Sequence, residues 1–201
     1  ITAIARTLRE YGEAGGYRKG KRKVVIFNDV HVSMIVEKSL DGQKIPVPLM
    51  IEKAGERSIE SVTQQINDAR EKPFTEKDMV LHGRASRLER CYYYLPGWAR
   101  RFFWRYLLQH PRLAFSKMGN VSVTSVGMMG NANGWFIPIA VHPACFGIGG
   151  ISKQPVVAGE RIEAREIMHM TVLLDHDVID GANMARFISD LTDNIEKGTG
   201  L

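Results

Sequence analysis

Apolar positions recur at helical spacing at the start of the chain. Ile4, Ala5 and Leu8 share one face of TAIARTLREY, and Gly12, Gly15 and Gly16 follow as stop signals, which predicts the end of a helix over residues 2–11. From Val24 to Val36 the residues turn β-branched and apolar, interrupted by the turn-forming pair Asn28-Asp29, so two strands or one bent strand are expected. Asp41-Gly42 marks a hairpin, and IPVPLMIE beyond it reads as a strand that Pro46 and Pro48 confine to an edge. Ser58 then caps a helix whose apolar stripe is Ile59, Val62, Ile66 and Ala69, with Pro73 as its end. Further strands are predicted at NVSVTSVG, GWFIPIAV, ACFGIGGI and IMHMTVLLD, and an amphipathic helix over 182–197 closes the pattern.

Residues 74–118 break this rhythm, mixing Arg84, Arg87, Arg90, Arg100, Arg101 and Arg105 with Tyr, Phe and Trp; the simplest expectation is a helical hairpin broken around Pro96-Gly97. At 201 residues the chain fits one domain able to bury its own core. It has 44% hydrophobic and 24% charged residues and no apolar run of about 18, so no helical membrane span is expected. Cys91 and Cys145 are too few for a disulfide framework, and no histidine has metal-ligand spacing; a reducing, cytoplasmic setting and no metal are expected. The first residue is Ile1, and the chain reads as lacking its N-terminal part. A formal charge of +5 suits an anionic partner, among them nucleic acid, an acidic membrane surface and a phosphorylated cofactor.

Chemistry concentrates in LLDHDVIDGANMARFISDL, where a strand ends, turns and opens a helix, and where His176, Asp180 and Gly181 form H-x-x-x-D-G. This string resembles the signature of the chloramphenicol acetyltransferases and of the dihydrolipoyl acyltransferase cores of 2-oxo acid dehydrogenase complexes, with D-H-x-V-I-D-G-A-x-x-A-R-F nearer the second. GNVSVTSVG, roughly fifty residues before His176, is similar to the family strand G-x-F-T-I-S-N-L-G, and IAVHPACFGIGGI to N-P-P-Q-A-A-I-L-G-V-G. NDVHVSMIVEKSLDGQKIPVPLMIEKAGERSIESVTQQI resembles the family's strand, turn, strand and helix, leaving residues 79–118 as an atypical Arg/aromatic insertion.

The resemblance implies an α/β two-layer sandwich, a mixed sheet with helices on one face, assembled as a homotrimer or a larger shell. It implies acyl transfer between coenzyme A and a thiol or hydroxyl acceptor, with His176 as general base, a task suited to an imidazole whose ordinary pKa is near 6.5. Aligned on Gly127, the family's oxyanion-stabilising serine falls on Thr124, with Ser122 and Ser125 as substitutes and Ser125 also a candidate for contact with coenzyme A. Asp180 is expected to hold the turn by pairing with a buried Arg from a segment upstream of Ile1, and Gly181 to permit a turn where a Cβ is excluded. Asp177 departs from the family's usual Arg and would raise the pKa of the base beside it. The chain carries no lipoyl attachment site, so the acceptor is a small molecule or a carrier elsewhere.

Bland readings stand beside these. Thr is a common strand residue, and Gly147, Gly149 and Gly150 read as sheet glycines admitting close packing. His31, His82, His110, His142 and His169 read as structural or surface residues. The Arg/aromatic segment reads as a helical insertion with solvated arginines in preference to an RNA or peripheral membrane contact, and Tyr92, Trp98, Phe102 and Trp104 within 84–112 are candidates for an acyl-chain pocket or lid. The functional alternative is a non-catalytic trimeric scaffold that keeps the acyltransferase fold.

Overall fold

The computed structural model describes residues 1–20, 22–40, 43–72, 94–127 and 134–198. Helix α1 (Thr2–Glu10) opens the chain, and β1 (Tyr17–Lys19) and β2 (Lys23–Val25) form a small antiparallel sheet of their own. β3 (Val32–Leu40) and β4 (Gln43–Ile51) make an antiparallel hairpin whose register runs from Val32↔Ile51 to Leu40↔Gln43. The turn pair Asp41-Gly42 itself lies outside the described residues. α2 (Ile59–Glu71), α3 (Gly97–Gln109) and α4 (Pro111–Met118) precede β5 (Val121–Ser125), the long strands β6 (Ala144–Ala158) and β7 (Arg161–Leu174), and α5 (Gly181–Glu196).

The main sheet has the order β4-β3-β5-β6-β7, with β5 parallel to both β3 and β6 and the outer pairs antiparallel. β4 is therefore an edge strand, where the missing N–H groups of Pro46 and Pro48 break no interior ladder. Alternation along the strands sends Val32, Val121, Val123, Ala144 and Phe146 to one face, and there they meet Ile4, Ala5 and Leu8 of α1, Val62 of α2 and Phe187 and Leu191 of α5 in one buried cluster. This is the two-layer α/β arrangement with its helices on one face of a mixed sheet. Phe146 and Phe187 are fully buried and meet edge to face with their ring centroids 6.2 Å apart, a separation typical of aromatic pairs.

Local chemistry sets the ends of the elements. Ser58 accepts a hydrogen bond from the Ser61 N–H at 3.2 Å, the expected N-cap of α2, worth about 1 kcal/mol. The chain breaks at Leu95-Pro96, between helical Tyr94 and α3, with Pro96 as the N-cap of α3; a second break falls at His110-Pro111, where Pro111 opens α4 at the position where a missing N–H costs nothing. A second cluster of Tyr17, Leu107, Ala114 and Met118, with Phe27 and Phe115 packed on it, seats these helices beside β1.

Two departures concern the strands. GWFIPIAV forms no strand: residues 134–143 are irregular, and a Cβ on Gly147 would lie 3.0 Å from Phe136 and 3.1 Å from Pro138, so this segment crosses the β6 backbone. Conversely, β6 and β7 continue to Ala158 and Arg161, past the last β5 pairing at Ser125↔Ile148, as a two-stranded ribbon.

His142 sits where the irregular segment meets α4. Its Nε2 lies 2.9 Å from the Met118 carbonyl, its Nδ1 is buried without a hydrogen-bond partner, and burial lowers its pKa below 6.5. The unfolded chain therefore binds the proton more readily than the folded one, and stability is expected to fall as pH drops below about 6.5. Denaturant midpoints at pH 7.5 and 5.5, compared between wild type and His142→Asn, check this: the substitution should flatten the difference.

Candidate active site

The segment from Leu174 to Gly181 is held by its own backbone. Asp175 donates from its N–H to the Pro143 carbonyl at 3.1 Å, and its carbonyl accepts from Val178 and Ile179. Its Oδ1 accepts the Asp177 N–H at 3.0 Å, and fully buried Ile179 anchors the far side of the turn. His176 stands on this turn, exposed, and its imidazole makes no hydrogen bond to any described residue. A side chain placed in this way is accessible to solvent on a turn fixed by its own backbone.

Asp180 has a structural role, by a different contact from the one expected. Its Oδ1 accepts the Asn183 N–H at 2.8 Å and caps α5, a bond that a charged acceptor at a helix start strengthens. The arginine in this turn is Arg18 of β1, and it pairs with Asp177 instead. Arg18 also donates from Nε to the Gly20 carbonyl at 2.9 Å. The extra carboxylate beside His176 is thus compensated by a guanidinium, against the expectation of an uncompensated charge. Nothing in the sequence signals a pair 159 residues apart beyond the basic run that follows Tyr17.

Gly181 corrects a second expectation. A Cβ there would meet nothing within 4 Å, and its φ lies outside the left-handed region, so neither space nor backbone demands glycine. The demanding glycines are elsewhere. A Cβ on Gly149 would lie 2.5 Å from the Gly134 carbonyl oxygen, and one on Gly127 would lie 3.0 Å from that of Gly149, which is the close packing expected of sheet glycines.

On β5 the register aligns Thr124 with Gly147 and, through β6, with Thr171. Thr124 and Ser122 share the sheet face turned away from the helices, while alternation puts Ser125 on the helix face in the row of Ile148. Ser122 bonds to the thiol of Cys145, whose pKa burial raises. Thr124 is therefore the hydroxyl on the face away from the helices that this contact leaves over, beside the segment that crosses Gly147. It is near the C-terminal end of β5, whereas His176 follows Leu174, which is aligned through Ala144 with Val121 at the opposite end. Within one chain the structure does not bring His176 and Thr124 together.

The remaining candidates are dispersed. His169 lies against Trp135 with the rings tilted and their centroids 4.3 Å apart, and contacts the Gln154 amide at 3.0 Å; the His110 ring lies 2.7 Å from the Tyr106 carbonyl; the His31 backbone N–H donates to Asn120. His82, Tyr92 and Cys91 lie outside the described residues. Trp98 and Phe102 face solvent, 70% and 68% exposed, and Trp104 is 37% exposed. No cluster of metal-ligating side chains occurs among the described residues.

Residues 112–201 match the family model of the 2-oxoacid dehydrogenases acyltransferase catalytic domain. Over 200 residues, 98% of the chain, it is 26% identical to the dihydrolipoyllysine-residue acetyltransferase component of the pyruvate dehydrogenase complex of Mycoplasma pneumoniae, of which it covers 40%. It is 40% identical over 75 residues to the corresponding component of Haemophilus influenzae, a match covering 36% of the chain and 13% of that protein. The chain thus spans less than half the length of these relatives. Among solved structures, a probable dihydrolipoamide acetyltransferase from Listeria monocytogenes superimposes with a TM-score of 0.62 at 19% identity, covering 98% of this chain and 68% of that one. The cubic core of a pyruvate dehydrogenase multienzyme complex gives 0.61 at 21% identity, over 96% and 65%. Residues 112–201 are thus similar in sequence to the catalytic domain of the 2-oxoacid dehydrogenases acyltransferases, and over nearly its whole length the chain is similar in fold to the solved acetyltransferase cores.

Proposed function

We propose that this chain is the catalytic domain of an acyltransferase that moves an acyl group between coenzyme A and a thiol or hydroxyl acceptor, with each active site shared by two copies of a homotrimer. The observation that carries the reading is the catalytic-domain match over 112–201, a span containing both the His176 turn and the Thr124 strand. Their placement at opposite ends of β5 supports a site completed by a neighbouring copy. So does the β6–β7 ribbon, which leaves Ile151, Val157 and Ile162 exposed, although a two-stranded hairpin is marginal unless something packs on it.

The proposed chemistry runs without a covalent enzyme intermediate. The imidazole of His176 takes the proton of the acceptor S–H or O–H as the acceptor attacks the thioester carbonyl carbon. The hydroxyl of Thr124 from the adjacent copy donates a hydrogen bond to the oxyanion of the tetrahedral intermediate. Collapse breaks the C–S bond, and the departing thiolate recovers the proton from the imidazolium. Asp180 and the Arg18–Asp177 pair position the turn that carries the base.

The test is thiol release from acyl-coenzyme A donors of increasing chain length, with dihydrolipoamide, simple alcohols and amines as acceptors. Turnover with at least one pair supports the assignment and names the substrates. An intact oligomer inert against the whole panel points to the scaffold.

A further inference from the structure

Helix α3 is built back to front for a helix that serves only to cover a domain. Leu107 is its one buried residue, packed against Tyr17, Ala114 and Met118. At 100° per residue Trp98 lies on the face opposite Leu107, and Phe102 and Tyr106 follow at i+4 and i+8, so the outward stripe is aromatic. Trp98, Phe102 and Tyr106 are 70%, 68% and 48% exposed. Arg101 and Arg105, exposed one turn apart on the flank of that stripe, repel each other in isolation.

Charge sharpens the picture. Between Tyr94 and Met118 stand Arg100, Arg101, Arg105, Arg112 and Lys117 with no Asp or Glu, so this short segment holds the whole of the formal excess of +5. No described helix is long and apolar enough to cross a membrane. An aromatic ridge flanked by arginines on a surface helix has the composition of one that lies in the plane of a bilayer, its rings at the headgroup boundary and its guanidinium groups on lipid phosphates.

We infer that α3 docks the protein on anionic membrane surfaces, with Trp98 and Phe102 entering the interface and Arg101 and Arg105 binding lipid phosphates. A second copy of this chain on the same face would bring like charges together, and a stacked nucleic acid needs a groove along which bases line up, which a convex ridge lacks. This inference is independent of the proposed catalysis.

The test is co-sedimentation of the intact oligomer with vesicles of phosphatidylcholine alone and with about 30% phosphatidylglycerol, at roughly 50 and 500 mM NaCl. Binding is expected to the anionic vesicles at low salt only. Trp98→Ser/Phe102→Ser and, separately, Arg101→Gln/Arg105→Gln should each weaken it by roughly tenfold or more while leaving oligomer mass and circular dichroism unchanged. Should the aromatic variant misfold, the arginine variant decides alone. The inference is overturned by wild type staying in the supernatant, by variants that bind as wild type does, or by binding to RNA in place of vesicles. Loss of the oligomer in a folded variant, without wild-type vesicle binding, overturns it too, by showing that a second copy covers this face.

Discussion

Replacing His176 by alanine is expected to lower acyl-transfer turnover by about 10²–10⁴-fold, the range over which a positioned general base acts. The effect should fall on kcat, because in the proposed mechanism the imidazole takes its proton in the transition state, and His176 forms no part of a buried surface. His176 is exposed on its turn and makes no hydrogen bond to any described residue, so the thermal midpoint and oligomer mass should stay at wild-type values. The turn is held instead by Asp175, by buried Ile179 and by the Asp180 cap. Thiol release under saturating donor and acceptor checks this, and a variant that keeps full turnover removes His176 from the chemistry.

The largest effect on stability is expected at Gly119. Its φ of 74° and ψ of −169° fall in a region essentially confined to glycine, and a Cβ there would sit 2.4 Å from the His31 carbonyl oxygen. That carbonyl cannot move freely, because it accepts the N–H groups of Asn120 and Val121 where β5 begins beside β3. The Gly119 carbonyl in turn accepts the Tyr17 hydroxyl at 2.6 Å, tying the joint to β1. Gly119→Ala should cost roughly 2–4 kcal/mol, combining backbone strain with the clash. Gly159→Ala is the control: its φ is 64° but a Cβ meets open space, so only the left-handed penalty of about 1 kcal/mol applies. Equal midpoints for the two variants in denaturant melts would contradict the contact geometry at the β5 entrance.

The elements that pack on the core were legible in the sequence. The face of α1, the stripe of α2, the Ser58 cap, the edge position of the Pro46-Pro48 strand and the final helix all repeat at the period of the structure they form. What failed has physical causes. Residues 134–141 form an apolar run of strand length, but Pro138 lacks the N–H for a ladder bond, and the segment crosses Gly147 as irregular backbone. The ribbon beyond Ile151 went unseen because Ser152, Lys153 and Gln154 of β6 and Glu163, Arg165 and Glu166 of β7 carry no core periodicity, the ribbon having no layer against it.

At the candidate site, the motif singled out His176 and Asp180, whereas the separation of Thr124 and Ser122 from Ser125 on opposite faces of the sheet came only from the strand register. The Arg18–Asp177 pair was beyond reach, since a long-range contact between two exposed side chains leaves no periodic trace. Gly181 misled in the other direction, because glycine is compatible with a helix start that does not require it.

The shared site is tested most directly by mixing two inactive parents. His176→Ala lacks the base and Thr124→Val lacks the oxyanion donor, the latter expected to lose about 10²–10³-fold. Dissociated, mixed in equal amounts and reassembled, they should recover roughly a quarter of wild-type activity, because random trimers place an intact histidine beside an intact threonine of the next copy at that frequency. A reassembled mixture no more active than its parents would place both groups in one chain and contradict the shared site.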